Sequence, residues 1–212
     1  MTERVRFYFD VLCPWAWQAA VWMREVERVR DVRVDWRLFS LILLNEGRGE
    51  MPEDLRTRGL LGARAMAAAR RQAGNEGIGR AYEALGRRVH EDGRELRPEL
   101  VAEAFDEVGL PRELAERAAR DGDGSLLADV RRDHEEAVRD VAAFGVPTIV
   151  LASGRGMFGP VIATPRWGEE AGEMWDHVRW LVGQEDFFEI KRIRDRGPGR
   201  RRPVPSVAQG PS

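Results

Sequence analysis

The sequence predicts an α/β fold in which a β-α-β unit near the start of the chain and a β-β-α unit near its end are separated by a block of helices. Residues 5–10 and 32–38 alternate apolar and polar side chains, as half-buried strands do. Residues 53–143 carry apolar stripes of helical spacing and contain no convincing strand. Residues 148–152 form an apolar, β-branched run typical of a buried strand. At 212 residues the chain is long enough for one domain with a sizeable insertion.

The first unit is a helix between two strands. The helix opens at Pro14, which suits the first helical position because no amide donor is needed there. Trp22, Val26 and Val29 then fall on one face, so that the helix can pack on a sheet. A strand, a helix and a strand in close succession form a right-handed crossover with a parallel strand pair.

The second unit begins at 148–152, turns at 154–156 and returns at 157–163, where Pro160 indicates an edge strand or a bulge. A final helix spans 168–183. This order is that of a thioredoxin-like fold (β-α-β … β-β-α) with an all-helical insertion. We therefore divide the chain into a split thioredoxin-like domain at 1–45 and 144–193, a helical insertion domain at 46–143 and a disordered tail at 194–212.

Cys13 is the only cysteine, and it stands where the first strand runs into the first helix. The amides and the positive dipole end of a helix favour a thiolate, which is the reactive form of the side chain. The alternative interpretation is an inert core cysteine. Such a fold keeps its second cysteine three residues on, and this chain has Ala16 there. Any disulfide chemistry at Cys13 therefore needs a sulfur from another molecule.

Composition excludes several classes of function. Charged residues make up 33% of the chain but nearly cancel, with a net charge of −2, whereas a nucleic-acid-binding surface predicts a basic stripe. One cysteine allows no internal disulfide and no thiolate metal site. Neither a signal peptide nor a membrane-spanning apolar stretch is visible, so we expect a cytoplasmic protein with no nucleic-acid or membrane partner.

Six segments, in order along nearly the whole chain, carry a family resemblance. They are FDVLCPWAW at 9–17, SLILLNE at 40–46, GVPTI at 145–149, FGPV at 158–161, GEEAG at 168–172 and FFEIKR at 187–192. These segments resemble the DsbA-like thioredoxin superfamily, and specifically its cytosolic branch, which contains FrnE-type oxidoreductases and the mycothiol-dependent nitroreductase. That branch has Cys-Pro-Trp-Cys at its active site, so this chain departs from it at Ala16.

The resemblance implies a site around Cys13 as the catalytic nucleophile, with no metal. It implies a cis peptide bond before Pro147, in a loop where the Val146 backbone can pair with an extended substrate. The positions expected to contact substrate or thiol are Pro14, Trp15, Ala16, Asn45, His90, Val146 and Pro147. For His90 the competing interpretation is a helix C-terminal cap. For Asp10 we leave open a carboxylate that moves the thiol proton and a strand-end cap.

The resulting hypothesis is a thiol oxidoreductase with a single nucleophilic cysteine. The resemblance implies mycothiol as its low-molecular-weight co-substrate and, by analogy, nitro compounds as acceptors. We expect mixed disulfides as the other acceptors, a redoxin as a further candidate partner and no tightly bound cofactor. One alternative is a non-redox, thiol-dependent isomerase or transferase, as in hydroxychromene-carboxylate isomerases and kappa-class glutathione transferases. Another is a non-catalytic binding protein. The sequence leaves open whether the chain is a monomer or a homodimer.

Overall fold

The structure is a computed structural model that describes residues 2–199. In this part of the chain one sheet has four strands, in the order β2-β1-β3-β4. Strand β1 is parallel to β2 and antiparallel to β3, and β4 is antiparallel to β3. The strands are β1 (Glu3–Phe9), β2 (Val32–Leu38), β3 (Thr148–Val150) and β4 (Gly156–Phe158).

Helices make up most of the remaining structure between residues 2 and 199. They are α1 (Pro14–Val29), α2 (Leu41–Leu44), α3 (Glu53–His90), α4 (Pro98–Glu107), α5 (Glu113–Arg120), α6 (Ser125–Val141) and α7 (Gly168–Gly183). The long helix α3 bends where Ala73 and Gly74 leave helical geometry, and Gly74 has a positive φ of 63°. None of the helices described is long and apolar enough to cross a membrane.

The hairpin partner is shorter than the sequence predicts. We expected a strand over 157–163, whereas β4 ends at Phe158. The reason is local, because Gly159 has a φ of 107° and Pro160 has no amide to donate to a strand partner.

The sheet and the helices between β2 and β3 share one continuous core. Phe9 of β1 stacks on Tyr82 of α3, with ring centroids 3.9 Å apart. On the other face of β1, the buried Tyr8 hydroxyl donates to Glu136 of α6 at 3.2 Å. Both faces of β1 are therefore covered by protein, which explains why Tyr8 is buried at a position that simple alternation assigns to a polar face.

Helix α1 is fixed along its length by α7. The Trp22 indole donates to the Ala171 carbonyl at 3.1 Å. At the far end of α1, Arg30 forms ion pairs with Glu169 at 2.6 Å and Asp176 at 2.9 Å. These contacts hold the helix so that its first turn, which carries Cys13, faces the loop before β3.

Candidate active site

Cys13 is the N-cap of α1. Its amide donates to the Asp10 carbonyl at 3.1 Å, and its carbonyl accepts from the Trp17 amide at 3.0 Å, so the turn after β1 leads directly into the helix. The Cys13 sulfur accepts a hydrogen bond from the Ala16 amide at 3.4 Å. The sulfur thus takes the place of the oxygen of an ordinary N-cap residue.

The loop before β3 closes over this sulfur. The Val146–Pro147 peptide bond is cis, and the Val146 carbonyl accepts a hydrogen bond from the Cys13 thiol at 3.6 Å. Cys13 is 7% exposed and Val146 is 5% exposed. The structure therefore brings Cys13, Ala16, Val146 and Pro147 together.

Burial raises the pKa of the Cys13 thiol, and the nearby Asp10 carboxylate raises it further. The Ala16 and Trp15 amides and the Arg194 guanidinium act in the opposite direction. The helix N-terminus alone favours a thiolate, but desolvation disfavours the anion more strongly in this closed site. The helix end therefore lowers this pKa as expected, but burial outweighs it and the net direction is upward.

Asp10 is buried directly beneath this turn. Its two carboxylate oxygens accept from the Leu12 amide and the Leu41 amide, each at 2.8 Å. Burial raises the Asp10 pKa to about 6, although both amide hydrogen bonds favour the charged form. Asp10 thus joins the turn before Cys13 to the start of α2, and it can change its charge near neutral pH.

Pro14 is exposed and Trp15 is half-buried beside Cys13. The guanidinium carbon of Arg194 lies 5.2 Å from the centroid of the Trp15 ring. Residues 194–199, which we predicted to begin a disordered tail, have no helix or strand but contact the domain, and residues 200–212 lie outside the described part. Ala16, which occupies the place of the second cysteine, is fully buried.

The two remaining predicted site residues make other contacts. His90 donates through Nε2 to the Val11 carbonyl at 2.7 Å, and its ring stacks on Trp17 with centroids 5.9 Å apart. Burial lowers the His90 pKa, which favours the neutral ring. Asn45 is exposed, and its amide donates to the Leu41 carbonyl at 2.7 Å. His90 therefore braces the turn that leads to Cys13, while Asn45 ends α2.

Tyr82 packs against Trp17 of the first turn of α1, with ring centroids 5.6 Å apart, and its hydroxyl is a feature that sequence reasoning missed. Its side chain is fully buried, and its hydroxyl has no hydrogen-bond partner among the described residues. Burial raises its pKa, and the charges of Cys13 and Asp10 add to the effect. The apolar stripe of α3 indicated only a core residue. The sequence carries no signal that places Tyr82 close to Cys13, because that placement depends on how α3 packs on β1.

No cluster of three or more metal-ligating side chains occurs within residues 2–199. Two open clefts elsewhere on the surface are lined by charged side chains of α1 and β2, including Arg24, Glu27 and Arg33, and neither is lined by Cys13.

A four-stranded mixed sheet, with a cysteine at the start of its first helix and a block of helices between β2 and β3, is the architecture of a DsbA-like member of the thioredoxin superfamily. Residues 12–192 match the family model described as Rv2466c-like, mycothiol-dependent nitroreductase Rv2466c. The chain belongs to this family, and the predicted fold class is confirmed.

Individual known proteins are also similar to this chain. The chain is 32% identical over 190 residues to the uncharacterized protein Rv2286c of Mycobacterium tuberculosis. The aligned residues make up 89% of this chain and 81% of that protein. The structure is similar to the cytosolic disulfide reductase DsbM of Pseudomonas aeruginosa, solved with GSH (TM-score 0.56, 19% identity, 84% of this chain and 96% of that chain). It is also similar to a 2-hydroxychromene-2-carboxylate isomerase (TM-score 0.56, 18% identity, 84% and 94%). The family match supports a redox enzyme in general.

Proposed function

We propose that this protein is a monothiol oxidoreductase in which Cys13 reacts with a low-molecular-weight thiol, mycothiol, and its mixed disulfides. The observation that carries the proposal is the placement of the sulfur. Cys13 caps α1 and meets the Val146 carbonyl at 3.6 Å, while Ala16 occupies the place of the second cysteine. A single sulfur at this place supports exchange with an external thiol and excludes an internal disulfide.

The proposed reaction has two exchange steps. In the first, the Cys13 thiolate attacks the mycothiol sulfur of a mixed disulfide, so that a Cys13–mycothiol disulfide forms and the other half leaves as a thiolate, which takes up a proton. In the second, a mycothiol thiolate attacks that disulfide and regenerates the Cys13 thiolate. The net change is reduction of the mixed disulfide and oxidation of mycothiol to its disulfide.

Two groups of the site support these steps. Asp10, with a pKa of about 6, is suited to exchange a proton near neutral pH, next to the turn that bears the thiol. The Val146 carbonyl, which accepts from the thiol in the closed site, is suited to pair with the backbone or amide of an extended substrate. Substrate pairing there would release the thiol from its hydrogen bond at the moment of reaction.

The family name adds nitro compounds as a second type of acceptor. A two-electron reduction of a nitro group to a nitroso group and water would oxidise two mycothiol molecules to one disulfide. We also propose that the protein acts in the cytoplasm and holds no tightly bound cofactor. A redoxin is a further candidate to resolve the Cys13 adduct.

A turnover assay tests the proposal. The purified protein is incubated with mycothiol and with a mixed disulfide of mycothiol and a chromogenic thiol, and release of the chromogenic thiol is followed. We expect catalysis by the wild type and none above background by Cys13→Ser. The same assay is run in parallel with a nitroaromatic compound as the acceptor, and it shows which type of acceptor the protein reduces. A wild-type rate no faster than the Cys13→Ser rate in both arms would refute the proposal.

A non-redox, thiol-dependent isomerase or transferase is the second candidate. The observation that favours it is the closed site, in which burial raises the pKa of the only cysteine. In that case Cys13 would orient a small thiol by hydrogen bonding instead of forming a covalent bond. Cys13→Ser would then retain much of the activity, because a hydroxyl can also donate such a hydrogen bond.

A further inference from the structure

The segment that follows α7 crosses to the active-site helix and is held at both ends. At its start, Arg155 donates to the Gly183 carbonyl at 2.6 Å. At its far end, the Gly199 carbonyl accepts from the Gln18 side chain of α1 at 2.5 Å, and the Gly199 amide donates to Ala163 at 2.7 Å. Residues 184–198 therefore pass near the first turns of α1.

Arg194 is the residue of this segment that reaches the site. Its guanidinium lies over the Trp15 ring at 5.2 Å, a cation–π contact next to Cys13. Within residues 2–199 no carboxylate forms an ion pair with Arg194, whereas Arg196, two residues on, pairs with Asp195 at 3.0 Å. The positive charge also acts on the sulfur, because Arg194 lowers the pKa of Cys13.

The other charged group near the sulfur, Asp10, shows why the Arg194 cation matters for the binding of an anion. Asp10 lies beneath the thiol, and its charge opposes both the Cys13 thiolate and any anion that approaches it. The Asp10 oxygens accept from the Leu12 and Leu41 amides, and no ion pair joins Asp10 to Arg194 in the described part of the chain. A fork of donors that has no ion-pair partner among residues 2–199, next to an aromatic ring and a nucleophile, matches a planar anion such as a carboxylate.

We propose that Arg194 and Trp15 form a specificity subsite that selects oxidised substrates carrying a carboxylate close to the disulfide. The inference rests on the proposed function and adds the charge of the molecule on which Cys13 acts. In the step concerned, the Cys13 thiolate attacks a sulfur of the anionic disulfide. A Cys13–thiol disulfide forms, and the departing half leaves as a thiolate beside the Arg194 cation.

Two flat aromatic disulfides that differ in charge provide the test. Dithiobis(nitrobenzoate) carries one carboxylate on each ring, whereas dithiodipyridine is neutral at the same pH. The rate constant for single-turnover modification of Cys13 is measured with each probe for the wild type, Arg194→Gln and Arg194→Lys. Arg196→Gln is the matched control, because it removes an exposed cation of the same segment that is already paired.

We expect Arg194→Gln to slow the anionic probe about tenfold, the size of one charge-assisted hydrogen bond, and to change the neutral probe less than about twofold. Arg194→Lys should retain part of the preference, and salt should reduce it in the wild type. Equal slowing of both probes would show that Arg194 acts only on the thiolate and would overturn the subsite. An unchanged ratio of the two rate constants would overturn it too.

The two hypotheses fail in different ways. If wild-type Cys13 reacts with neither probe, the proposed function itself fails, and the subsite with it. If Cys13 reacts with both probes and Arg196→Gln changes the ratio as much as Arg194→Gln does, only the subsite is refuted, since general attraction by the segment would then explain the preference.

Discussion

At the scale of single residues, Cys13 is subject to opposing influences. The Ala16 amide at 3.4 Å and the Arg194 cation favour its thiolate, while burial and the Asp10 charge favour its thiol. Burial is the largest of these effects, so the closed site stores a protonated, hydrogen-bonded thiol. The account therefore makes substrate binding the event that exposes and activates the sulfur.

The resting reactivity of Cys13 should reflect this balance. We expect the rate of alkylation by iodoacetamide to rise with pH through a midpoint above about 8.5, the value of an unperturbed cysteine. The same protein in urea serves as the control and should show the ordinary midpoint. A native midpoint below about 7.5 would contradict the account, because it would mean that the helix end outweighs burial.

Asp10 provides a test through stability. Its pKa of about 6 in the folded protein exceeds the ordinary value near 3.9, so folded Asp10 holds its proton more tightly than unfolded Asp10 does. Its contribution to stability is therefore complete below about pH 4 and is lost as the pH rises through about 6. Asp10→Asn lacks this titration.

We expect the free energy of unfolding of Asp10→Asn, relative to the wild type, to rise by on the order of 3 kcal/mol between about pH 4 and pH 7. Urea denaturation across this range measures the difference. Only its slope with pH is diagnostic, because an asparagine also disturbs one of the two amide hydrogen bonds at any pH. Parallel pH profiles for the two proteins would show that Asp10 titrates normally.

At the scale of elements, the first turn of α1 has the geometry of a two-cysteine site with one sulfur missing. Ala16 is fully buried, and its amide contacts the Cys13 sulfur at 3.4 Å. Trp17, the next residue, packs edge-on against Tyr82 at 5.6 Å, which fixes this turn against α3. At Gly86 of α3 a side chain would collide with the Trp17 ring, so the absence of one permits this close packing.

Restoring the second thiol should therefore restore an internal disulfide. We expect Ala16→Cys to close a disulfide with Cys13 under mild oxidation, with loss of both free thiols and of two hydrogens from the intact mass. Ala19→Cys, a buried alanine one turn further along α1, is the matched control and should retain two thiols. If Ala16→Cys stays reduced while the oxidant acts on a reference dithiol, the first turn does not hold the geometry that we assign to it.

At the scale of the whole molecule, the sequence predicts the features that are fixed by residues close together in the chain. It misses those that depend on contacts between distant segments or on local backbone angles. The strand, Cys13 and Pro14 are neighbours in the chain, so their pattern predicts the nucleophile and the helix that carries it. The end of β4 at Phe158 was missed because it depends on the backbone angles of Gly159.

Features that join distant segments could not be derived in the same way. The contact of Arg194 with Trp15 joins residues at opposite ends of the chain, and composition alone assigned that arginine to a disordered tail. The Tyr82 hydroxyl has no hydrogen-bond partner within residues 2–199 because of how α3 packs on β1, and a helical stripe does not specify that packing. The hydrogen bond from the Leu41 amide to Asp10 likewise requires α2 to lie beside the turn before Cys13.

The whole account depends on Cys13 being a covalent, monothiol nucleophile, and intact-mass spectrometry tests that claim most directly. The reduced protein is exposed to mycothiol disulfide, glutathione disulfide and cystine, alongside Cys13→Ser as the control. We predict a one-to-one adduct that dithiothreitol reverses and that is absent from Cys13→Ser, because no internal sulfur can expel the bound thiol. A wild type that takes up none of these thiols, while unfolded protein does, would contradict the account.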